Sequence, residues 1–356
     1  MNNSPFSFSQ ALIKWQLVHG RHDLPWQNTT DAYRIWLSEI MLQQTQVVTV
    51  KDYYARFLKR FPDVQSLASA EQDEVLALWT GLGYYSRARN LHACARSVVA
   101  DFGGEFPRTP EQLVTLKGIG ASTAAAIAVF AYGYPAAILD GNVKRIIARV
   151  MGVRAPASAA TDKILWQHAN ELLVTKADAK KLKMPHATAL RIYTQGLMDL
   201  GASLCARGTP QCTACPMQTN CYARIHQLTD DIPAAKARKV SPEFKVALYV
   251  YQHAGRLWLE KRADQGIWAG LYSFPEQNRL NFADLNESEA KLQHIRHVLT
   301  HRVLYLQPHL FQLDASQARA LEDTENAGQG GWFSVEDLKQ VGLPKPILEL
   351  TRRILE

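Results

Sequence analysis

The spacing of apolar and polar positions divides the chain into two parts. Up to about residue 228 apolar residues recur three and four positions apart, as in Ile35, Trp36 and Ile40, which predicts amphipathic helices. In FKVALYVYQHAGRLWLEKR, residues 244–262, the period shortens to two, which predicts two strands joined by a Gly-containing turn. The segment IRHVLTHRVLYLQPHLFQL adds further strands. We therefore expect a multidomain chain, all-α first and α+β afterwards.

The boundary is expected in DDIPAAKARKV, residues 230–240, where charge, Ala and Pro mix without a periodic apolar face. This composition is typical of a tether. We predict an all-α region over 1–228, a linker over 229–242 and an α+β domain over 243–356.

Composition narrows the class of protein only slightly. The chain has 356 residues, 47% hydrophobic and 21% charged, and a net charge of +7 that suits a polyanionic partner without requiring one. The N-terminus MNNSPFSFSQ has no basic stretch before an apolar one, so a reducing cytoplasm is expected, with nucleoid association if the protein is bacterial. The charge-free run Gly118 to Leu139 is interrupted by Gly133 and Pro135, which favours a buried helix and a loop over a membrane span.

Four of the five cysteines lie in CARGTPQCTACPMQTNC, residues 205–221. The spacing Cys-x6-Cys-x2-Cys-x5-Cys allows four thiolates to converge, and a reducing compartment disfavours disulfides. Tetrahedral zinc and an iron-sulfur cluster both accept four cysteines, so the spacing alone does not choose between them. The predicted ligands are Cys205, Cys212, Cys215 and Cys221.

The stretch EQLVTLKGIGASTAAAI, residues 111–127, predicts a helix, a tight Gly-Ile-Gly turn and a second helix. Gly118 and Gly120 permit backbone conformations closed to other residues and a close approach by another backbone. The free N–H groups at the start of the second helix can hold a phosphate. A plain αα-hairpin without a ligand is the alternative.

Two carboxylates stand in unusual contexts. Glu39 falls within an apolar helical face, where an acid is costly unless it is paired or protonated, and a salt bridge to Arg34 or a solvated face is the alternative. Asp140 precedes a helix that begins near Asn142, where an N-cap role would be sufficient by itself. If the two meet, the second charge would raise the pKa of the first further, as acid catalysis on a glycosidic bond requires.

Together these stretches resemble the MutY-type adenine DNA glycosylases of the endonuclease III, or helix-hairpin-helix, superfamily. The resemblance runs from about residue 12 to 221 and continues more weakly to the C-terminus. The motifs that carry it are LPWQ (24–27), SEIMLQQTQV (38–47), GLGYYSRARNL (81–91), KGIGAST (117–123), LDGNVKR (139–145) and the cysteine spacing.

The resemblance implies a six-helix barrel that carries the hairpin, a second lobe with the cluster loop 205–221, a cleft between them, and a Nudix-like C-terminal domain. It makes the metal a 4Fe-4S cluster that shapes a loop beside the DNA backbone. The basic residues expected around this loop are Lys181, Lys183, Arg207 and Arg224.

The implied activity is hydrolysis of the N-glycosidic bond of adenine opposite 8-oxoguanine or guanine, in a nucleotide flipped out of double-stranded DNA. Glu39 would protonate the adenine and assist the water, Asp140 would stabilise the oxocarbenium-like sugar or trap it covalently, and Asn142 would orient Asp140. The predicted lesion and DNA contacts are Gln44, Thr45 and Leu82 at the oxidised guanine, Tyr84 as a wedge, and Gly118, Gly120 and Ser122 in the hairpin.

Ser122 occupies the position where strand-cutting relatives have a lysine nucleophile, so a monofunctional glycosylase is expected. Lys144 lies near Asp140 in sequence but not at that position. The C-terminal domain lacks the Nudix metal box, having NRLNFADLNESEAKLQ instead, and its Leu299-Thr300-His301 stretch keeps the hydroxyl but not the aromatic ring of the family's lesion-recognition loop. A monomer with no membrane association is expected; the alternatives are an endonuclease III type glycosylase-lyase and a non-catalytic mismatch-binding protein.

Overall fold

The computed structural model describes residues 6–235, 240–280, 285, 288, 292–324 and 330–355. Contacts divide the described chain into two compact units. The first comprises residues within 1–54 and 94–238, and the second combines residues 55–93 with those within 239–356. A helical segment from the N-terminal half therefore belongs to the same unit as the C-terminal part.

The first unit is helical, as the sequence predicts. Several of its helices begin at a capping side chain: Asp31 accepts hydrogen bonds from the N–H groups of Tyr33 and Arg34, and Ser158 from that of Thr161. The helices are α1 (Phe8–His19), α2 (Ala32–Leu42), the start of α3 (Val47–Arg60), α7 (Pro110–Leu113), α8 (Ala121–Tyr132), α9 (Gly141–Met151), α10 (Ala159–Glu171), α11 (Lys176–Lys181), α12 (His186–Ala202), α13 (Tyr222–Ile225), and the later part of α6 (Ser86–Phe102).

The charge-free run forms α8 followed by a loop, which confirms that prediction. Helix α8 is buried from Ala124 to Val129 and packs in one core with Leu12 of α1, Ile146 of α9 and Leu197 of α12. It ends at Gly133, whose φ of 65° is left-handed and whose place beside Ala187 leaves no room for a Cβ. None of the described helices is long and apolar enough to cross a membrane.

The second unit contains a mixed sheet. Its strands are β1 (Glu243–His253), β2 (Arg256–Lys261), β3 (Tyr272–Ser273), β4 (Ile295–Leu299), β5 (Arg302–Gln312) and β6 (Gly330–Phe333). The order is β3-β2-β1-β5-β4 with β6 on β2, and β1 and β5 run parallel while the other pairs are antiparallel. The predicted hairpin is confirmed, since β1 and β2 pair antiparallel around a turn at Ala254 and Gly255.

Alternation along the strands gives the sheet two apolar faces. One buries Leu248 and Leu306 against Ile347 of α15 (Lys345–Leu355), and the other buries Tyr251 and Phe311 near α14 (Ala315–Glu322). The unit also contains α4 (Val64–Ala68), α5 (Gln72–Trp79) and a short 3-10 helix (Asp337–Gln340). Most of the segment that replaces the Nudix metal box, namely 281–284, 286–287 and 289–291, lies outside the described residues.

The first part of the predicted linker is packed. Ile232 is buried in the core of the first unit, and its carbonyl accepts a hydrogen bond of 2.8 Å from Nε of Arg149. Residues 236–239 lie outside the described part of the chain, and the boundaries 229–242 remain a prediction.

Candidate active site

A cavity of about 1330 Å³ opens within the first unit. Its walls come from the loop that follows α1, from α2 and the turn after it, from the start of α8, from the start of α9 and from α12. Glu39 and Asp140, 101 positions apart in the chain, both line it. The volume lies above the range of roughly 300 to 1,000 Å³ that is usual for small-molecule pockets.

Glu39 is half-buried on the face of α2 that Ile35 and Leu42 also present to the cavity. Burial, and then the charge of Asp140, raise the pKa of Glu39 to about 8. Arg34, the alternative partner, pairs instead with Asp31 at 3.5 Å. The carboxyl group of Glu39 is therefore poised to hold a proton near neutral pH.

Asp140 is the N-cap of α9. Its Oδ1 accepts hydrogen bonds from the backbone N–H groups of Asn142 at 2.9 Å and Val143 at 2.8 Å. Asp140 thus caps the helix and lines the cavity at the same time. The capping role explains its conformation and is compatible with a place in the site. Lys144, on the next turn, pairs with Asp162 at 2.7 Å.

Asn142 contacts Asp140 through its backbone, while its side chain faces another group. Its Oδ1 accepts a hydrogen bond of 3.0 Å from Nη2 of Arg145, which also donates to the carbonyl of Gly201. Nε of Arg145 donates to the carbonyl of Cys205 at 2.8 Å. Helix α9 thus connects the cap at Asp140 to the first cysteine of the cluster loop.

The hairpin turn lies at the start of α8. Gly118 adopts a left-handed φ of 83°, whereas Gly120 has a φ of −86° and open space where a Cβ would stand. The fold itself does not require glycine at 120, so its exposed surface is available for close approach by a ligand. Oγ of Ser122 accepts a hydrogen bond of 2.9 Å from the N–H of Leu139, the residue before Asp140.

The other predicted lesion contacts are distributed over both units. Gln44, with a left-handed φ of 57°, and Thr45 line the cavity. Leu82 and Tyr84 belong to the second unit, where Leu82 is buried and Tyr84 is 45% exposed. Thr300 is exposed in the turn between β4 and β5.

Sequence reasoning missed an anchored segment of the cavity wall. Asp199, buried on α12, accepts hydrogen bonds from Nε and the backbone N–H of Arg21 at 2.7 and 3.0 Å, and from Nε2 of Gln195 at 2.9 Å. Nε2 of Gln27 donates to the carbonyl of Arg21, which fixes the loop that contains the LPWQ motif. The sequence did contain a signal for this anchor, because Asp199 stands within the otherwise apolar stretch GLMDLGA and a buried acid needs a partner or must be protonated.

The four clustered cysteines are free and share one small cavity beside Arg149 and Arg224. Burial raises the pKa of Cys215 to about 11, and the three neighbouring thiols act in the same direction. Nη1 of Arg149 lies 3.4 Å from Sγ of Cys205. A set of four thiols around one space fits metal ligation, although no group of three described His, Cys, Asp or Glu side chains is arranged to hold a single ion.

Two of the expected basic residues lie in the cluster loop or shortly after it. Arg207 lies within it and lines the large cavity, and Arg224 follows it, donating to the carbonyl of Gln218 at 2.8 Å. Lys181 ends α11, and Lys183 follows with a left-handed φ of 56°.

Comparison with known families matches both parts of the chain. Residues 37–171 match the HhH-GPD superfamily of base excision DNA repair proteins, and residues 246–353 match the NUDIX domain. An adenine DNA glycosylase of Buchnera aphidicola subsp. Baizongia pistaciae is 33% identical over 98% of this chain and 96% of its own length. An adenine DNA glycosylase of Mus musculus is 34% identical over 82% of this chain and 64% of its own length.

Solved structures match the helical part. A thermostable thymine-DNA glycosylase aligns with a TM-score of 0.53 and 28% identity over 62% of this chain and 95% of its own. An endonuclease III in a non-covalent DNA complex aligns with a TM-score of 0.50 and 18% identity over 62% of this chain and 94% of its own, which shows a shared fold. Helix-hairpin-helix glycosylases are therefore the structural neighbours of the N-terminal part.

Proposed function

The chain belongs to the adenine DNA glycosylases of the HhH-GPD superfamily, and from this premise we propose that it excises adenine paired with 8-oxoguanine or guanine in double-stranded DNA. The observation that carries the proposal is a pair of carboxylates on the wall of one cavity: Glu39, with its raised pKa, and Asp140, the N-cap of α9. Excision of this kind acts on a base that has left the duplex stack.

Glu39 supplies the proton. Cleavage of the bond between adenine and C1′ moves the bonding electron pair onto the base, and a proton delivered to the adenine ring, at N7, makes the base a better leaving group. A pKa of about 8 keeps the Glu39 carboxyl protonated at neutral pH. After transfer its carboxylate accepts a proton from the water that attacks C1′, so the acid is regenerated.

Asp140 stabilises the positive sugar. Two backbone N–H groups hold Oδ1 of Asp140 at the start of α9, where the helix dipole favours negative charge. A fixed anion beside the cavity lowers the energy of an oxocarbenium-like transition state, and it can also trap the sugar covalently before hydrolysis. The backbone N–H of Asn142 is one of the two groups that orient it.

The enzyme is proposed to be monofunctional. Ser122 lacks the amine needed for a Schiff base with the sugar, and its hydroxyl is bonded to the N–H of Leu139. Lys144 is engaged by Asp162. Excision should therefore leave an abasic site with the strand intact.

The DNA backbone is proposed to approach the hairpin turn at Gly118 and Gly120, whose exposed surface and the free N–H groups at the start of α8 suit a phosphate. Gln44, Thr45, Leu82 and Thr300 are proposed contacts of the oxidised guanine and its surroundings, and the exposed ring of Tyr84 is proposed to wedge into the base stack. The protein is proposed to act as a monomer in a reducing, DNA-containing compartment.

A 4Fe-4S cluster is proposed on Cys205, Cys212, Cys215 and Cys221. The family resemblance supports iron and sulfur as the bound group. The four thiols surround one small space, which suits a shared cluster. When bound, it would crosslink a loop that has little core of its own.

The test of the cluster is Cys212→Ser. Loss of one ligand should lower the iron content, destabilise the loop 205–221 and weaken DNA binding, which iron analysis, thermal unfolding and a binding titration would measure. Cys94→Ser is the matched control, because Cys94 is buried in α6 away from the cluster loop in sequence. A Cys212→Ser protein that is folded, active and free of iron would remove the cluster from the account.

The activity is tested by incubating the protein with duplexes that carry adenine opposite 8-oxoguanine, guanine or thymine, followed by alkali. Alkali-labile sites are expected opposite 8-oxoguanine and guanine, with little cleavage before alkali. Efficient cleavage without alkali, or borohydride trapping on a thymine glycol duplex, would indicate an endonuclease III type enzyme instead. Binding without excision would indicate a mismatch-binding protein.

A further inference from the structure

The loop Gly81–Tyr84, between α5 and α6, has an unusual backbone. Gly81, Gly83 and Tyr84 all have left-handed φ values, of 95°, 78° and 50°. For tyrosine this conformation is strained, so surrounding contacts must hold it. The loop contains Leu82 and Tyr84, the proposed contacts with the lesion and the base stack.

Contacts from the neighbouring helices account for part of this hold. Nε1 of Trp79 and Nη2 of Arg87 both donate to the carbonyl of Gly83, each at 3.1 Å. The guanidinium of Arg87 also lies over the rings of Trp79 and Tyr84, at 5.2 and 5.5 Å. These contacts fix the second half of the loop.

The first half is held by the C-terminal part of the same unit. The hydroxyl of Tyr85 donates to the carbonyl of Leu343 at 2.6 Å and accepts from the N–H of Gly81 at 3.1 Å. The N–H of Leu343 donates to the hydroxyl of Thr80 at 3.2 Å. The carbonyl and the N–H of Leu343 are thus hydrogen-bonded to Tyr85 and Thr80, the two side chains that flank the loop.

Leu343 is firmly placed in the Nudix-like part. Its side chain is fully buried in the core that contains Leu248, Leu306 and Ile347. The carbonyl of the preceding residue, Gly342, accepts a hydrogen bond of 2.9 Å from the N–H of Tyr272 on β3. Leu343 is therefore anchored in the core of the Nudix-like part, next to β3.

From this geometry we propose that Tyr85 is a positioning residue through which the Nudix-like part sets the conformation of the Gly81–Tyr84 loop, and with it the enzyme's discrimination of the base opposite adenine. Tyr85 is itself buried, so it acts through its bonds to Gly81 and Leu343 and not by touching DNA. Because the loop is assigned to lesion contact only under the proposed function, this inference rests on that function.

The test compares Tyr85→Phe with wild type. Single-turnover excision is measured at increasing enzyme concentration on duplexes with adenine opposite 8-oxoguanine or guanine. Loss of one buried hydroxyl with two bonds should lower the selectivity for 8-oxoguanine over guanine by about 3- to 10-fold. This loss of selectivity should appear mainly in how the excision rate depends on enzyme concentration. Hydrogen exchange of the Gly81 amide should accelerate, because its acceptor is gone.

Tyr132→Phe is the matched control. Its hydroxyl donates to the carbonyl of Phe106 at 2.7 Å, a bond of the same kind in the first unit. This variant should keep the wild-type selectivity and the wild-type exchange of Gly81. Thr80→Val provides a second variant should Tyr85→Phe fail to fold, since it removes the acceptor of the Leu343 N–H and should change selectivity in the same direction. The two changes should be less than additive, because both act on Leu343.

If both Tyr85→Phe and Thr80→Val keep the wild-type selectivity and the wild-type hydrogen exchange of the Gly81 amide, this inference is overturned. The proposed function would not be affected by that result. An equal loss in Tyr132→Phe would also overturn the inference, because the effect would then be general loosening. A wild-type protein that excises adenine from neither duplex would overturn the proposed function, and this inference with it.

Discussion

The two carboxylates of the cavity are held in opposite ways. Glu39 lies on an apolar helical face, and among the described residues none forms a hydrogen bond or ion pair with its carboxyl group. Asp140 stands at a helix start and accepts two backbone N–H groups. Burial without partners raises the pKa of Glu39 and favours its neutral acid, whereas two backbone N–H groups fix the position of Asp140. Under the proposed function, the surroundings of each group, and not its own chemistry, would make Glu39 the proton donor and Asp140 the stabiliser.

Removing the proton donor should have the largest effect. Glu39→Gln keeps the shape and a neutral polar group but cannot transfer a proton, so excision should fall roughly a thousandfold or more. Binding to the mispair should remain largely intact, because the lost step belongs to the transition state. Single-turnover excision and a binding titration on the same duplex measure the two quantities. Wild-type turnover by this variant would overturn the acid assignment.

Removing the anion should have the next largest effect. Asn caps a helix about as well as Asp, so Asp140→Asn should keep α9 and the fold. The charge that stabilises the sugar is lost, and excision should fall roughly a hundredfold. Thermal unfolding checks the cap and single-turnover kinetics the charge. A variant that unfolds early while excising normally would leave Asp140 as a cap only.

The comparison also predicts a pH dependence. The acid form of Glu39 is lost as pH rises through about 8, so the excision rate should fall about tenfold per unit above that value. Because the charge of Asp140 contributes to the raised pKa of Glu39, Asp140→Asn should move this limit to lower pH. A single-turnover profile between pH 5 and 10 measures both. An identical upper limit in the two proteins would contradict the coupling.

Stability should follow the same proton. The contribution of Glu39 to the free energy of unfolding is fully present below its unfolded pKa, and it is lost as pH rises through about 8. The reason is that the folded protein still binds a proton that the unfolded chain has already released. Glu39→Gln should therefore gain stability relative to wild type between pH 6 and 9. Denaturant unfolding at both pH values measures this gain.

The smallest effect on the excision rate should come from changing Ser122, whose hydroxyl holds the residue before Asp140. Ser122→Ala leaves the N–H of Leu139 without its acceptor and loosens the residue before Asp140, so excision should fall by about 3- to 10-fold. Ser122→Thr retains a hydroxyl and should recover most of the rate. Equal rates for both variants would mean that the hydroxyl does not position Asp140.

The sequence predicted the elements well because their signals are local. The switch of period near residue 244, the cap signal at Asp140 and the glycine turn each depend on a few neighbouring residues. The catalytic motifs were visible for the same reason. The roles assigned to them came from resemblance and stay predictions.

Long-range pairing was not visible. The segment 55–93 belongs to a unit with the C-terminal part, and no periodicity indicates that Tyr85 bonds to Leu343. The anchor of Arg21 on Asp199 joins residues 178 positions apart. Contacts of this kind depend on the assembled backbone, and a single sequence shows only that an isolated buried acid must have a partner or be protonated.

The protonation state of Glu39 tests the central claim most directly. Infrared difference spectra of wild type minus Glu39→Gln, recorded between pH 5 and 10, isolate the carbonyl stretch of this one carboxyl group. The account predicts a protonated carboxyl band at neutral pH that disappears with a midpoint of about 8. A band already absent at pH 6 would show an ionised Glu39 and contradict the account.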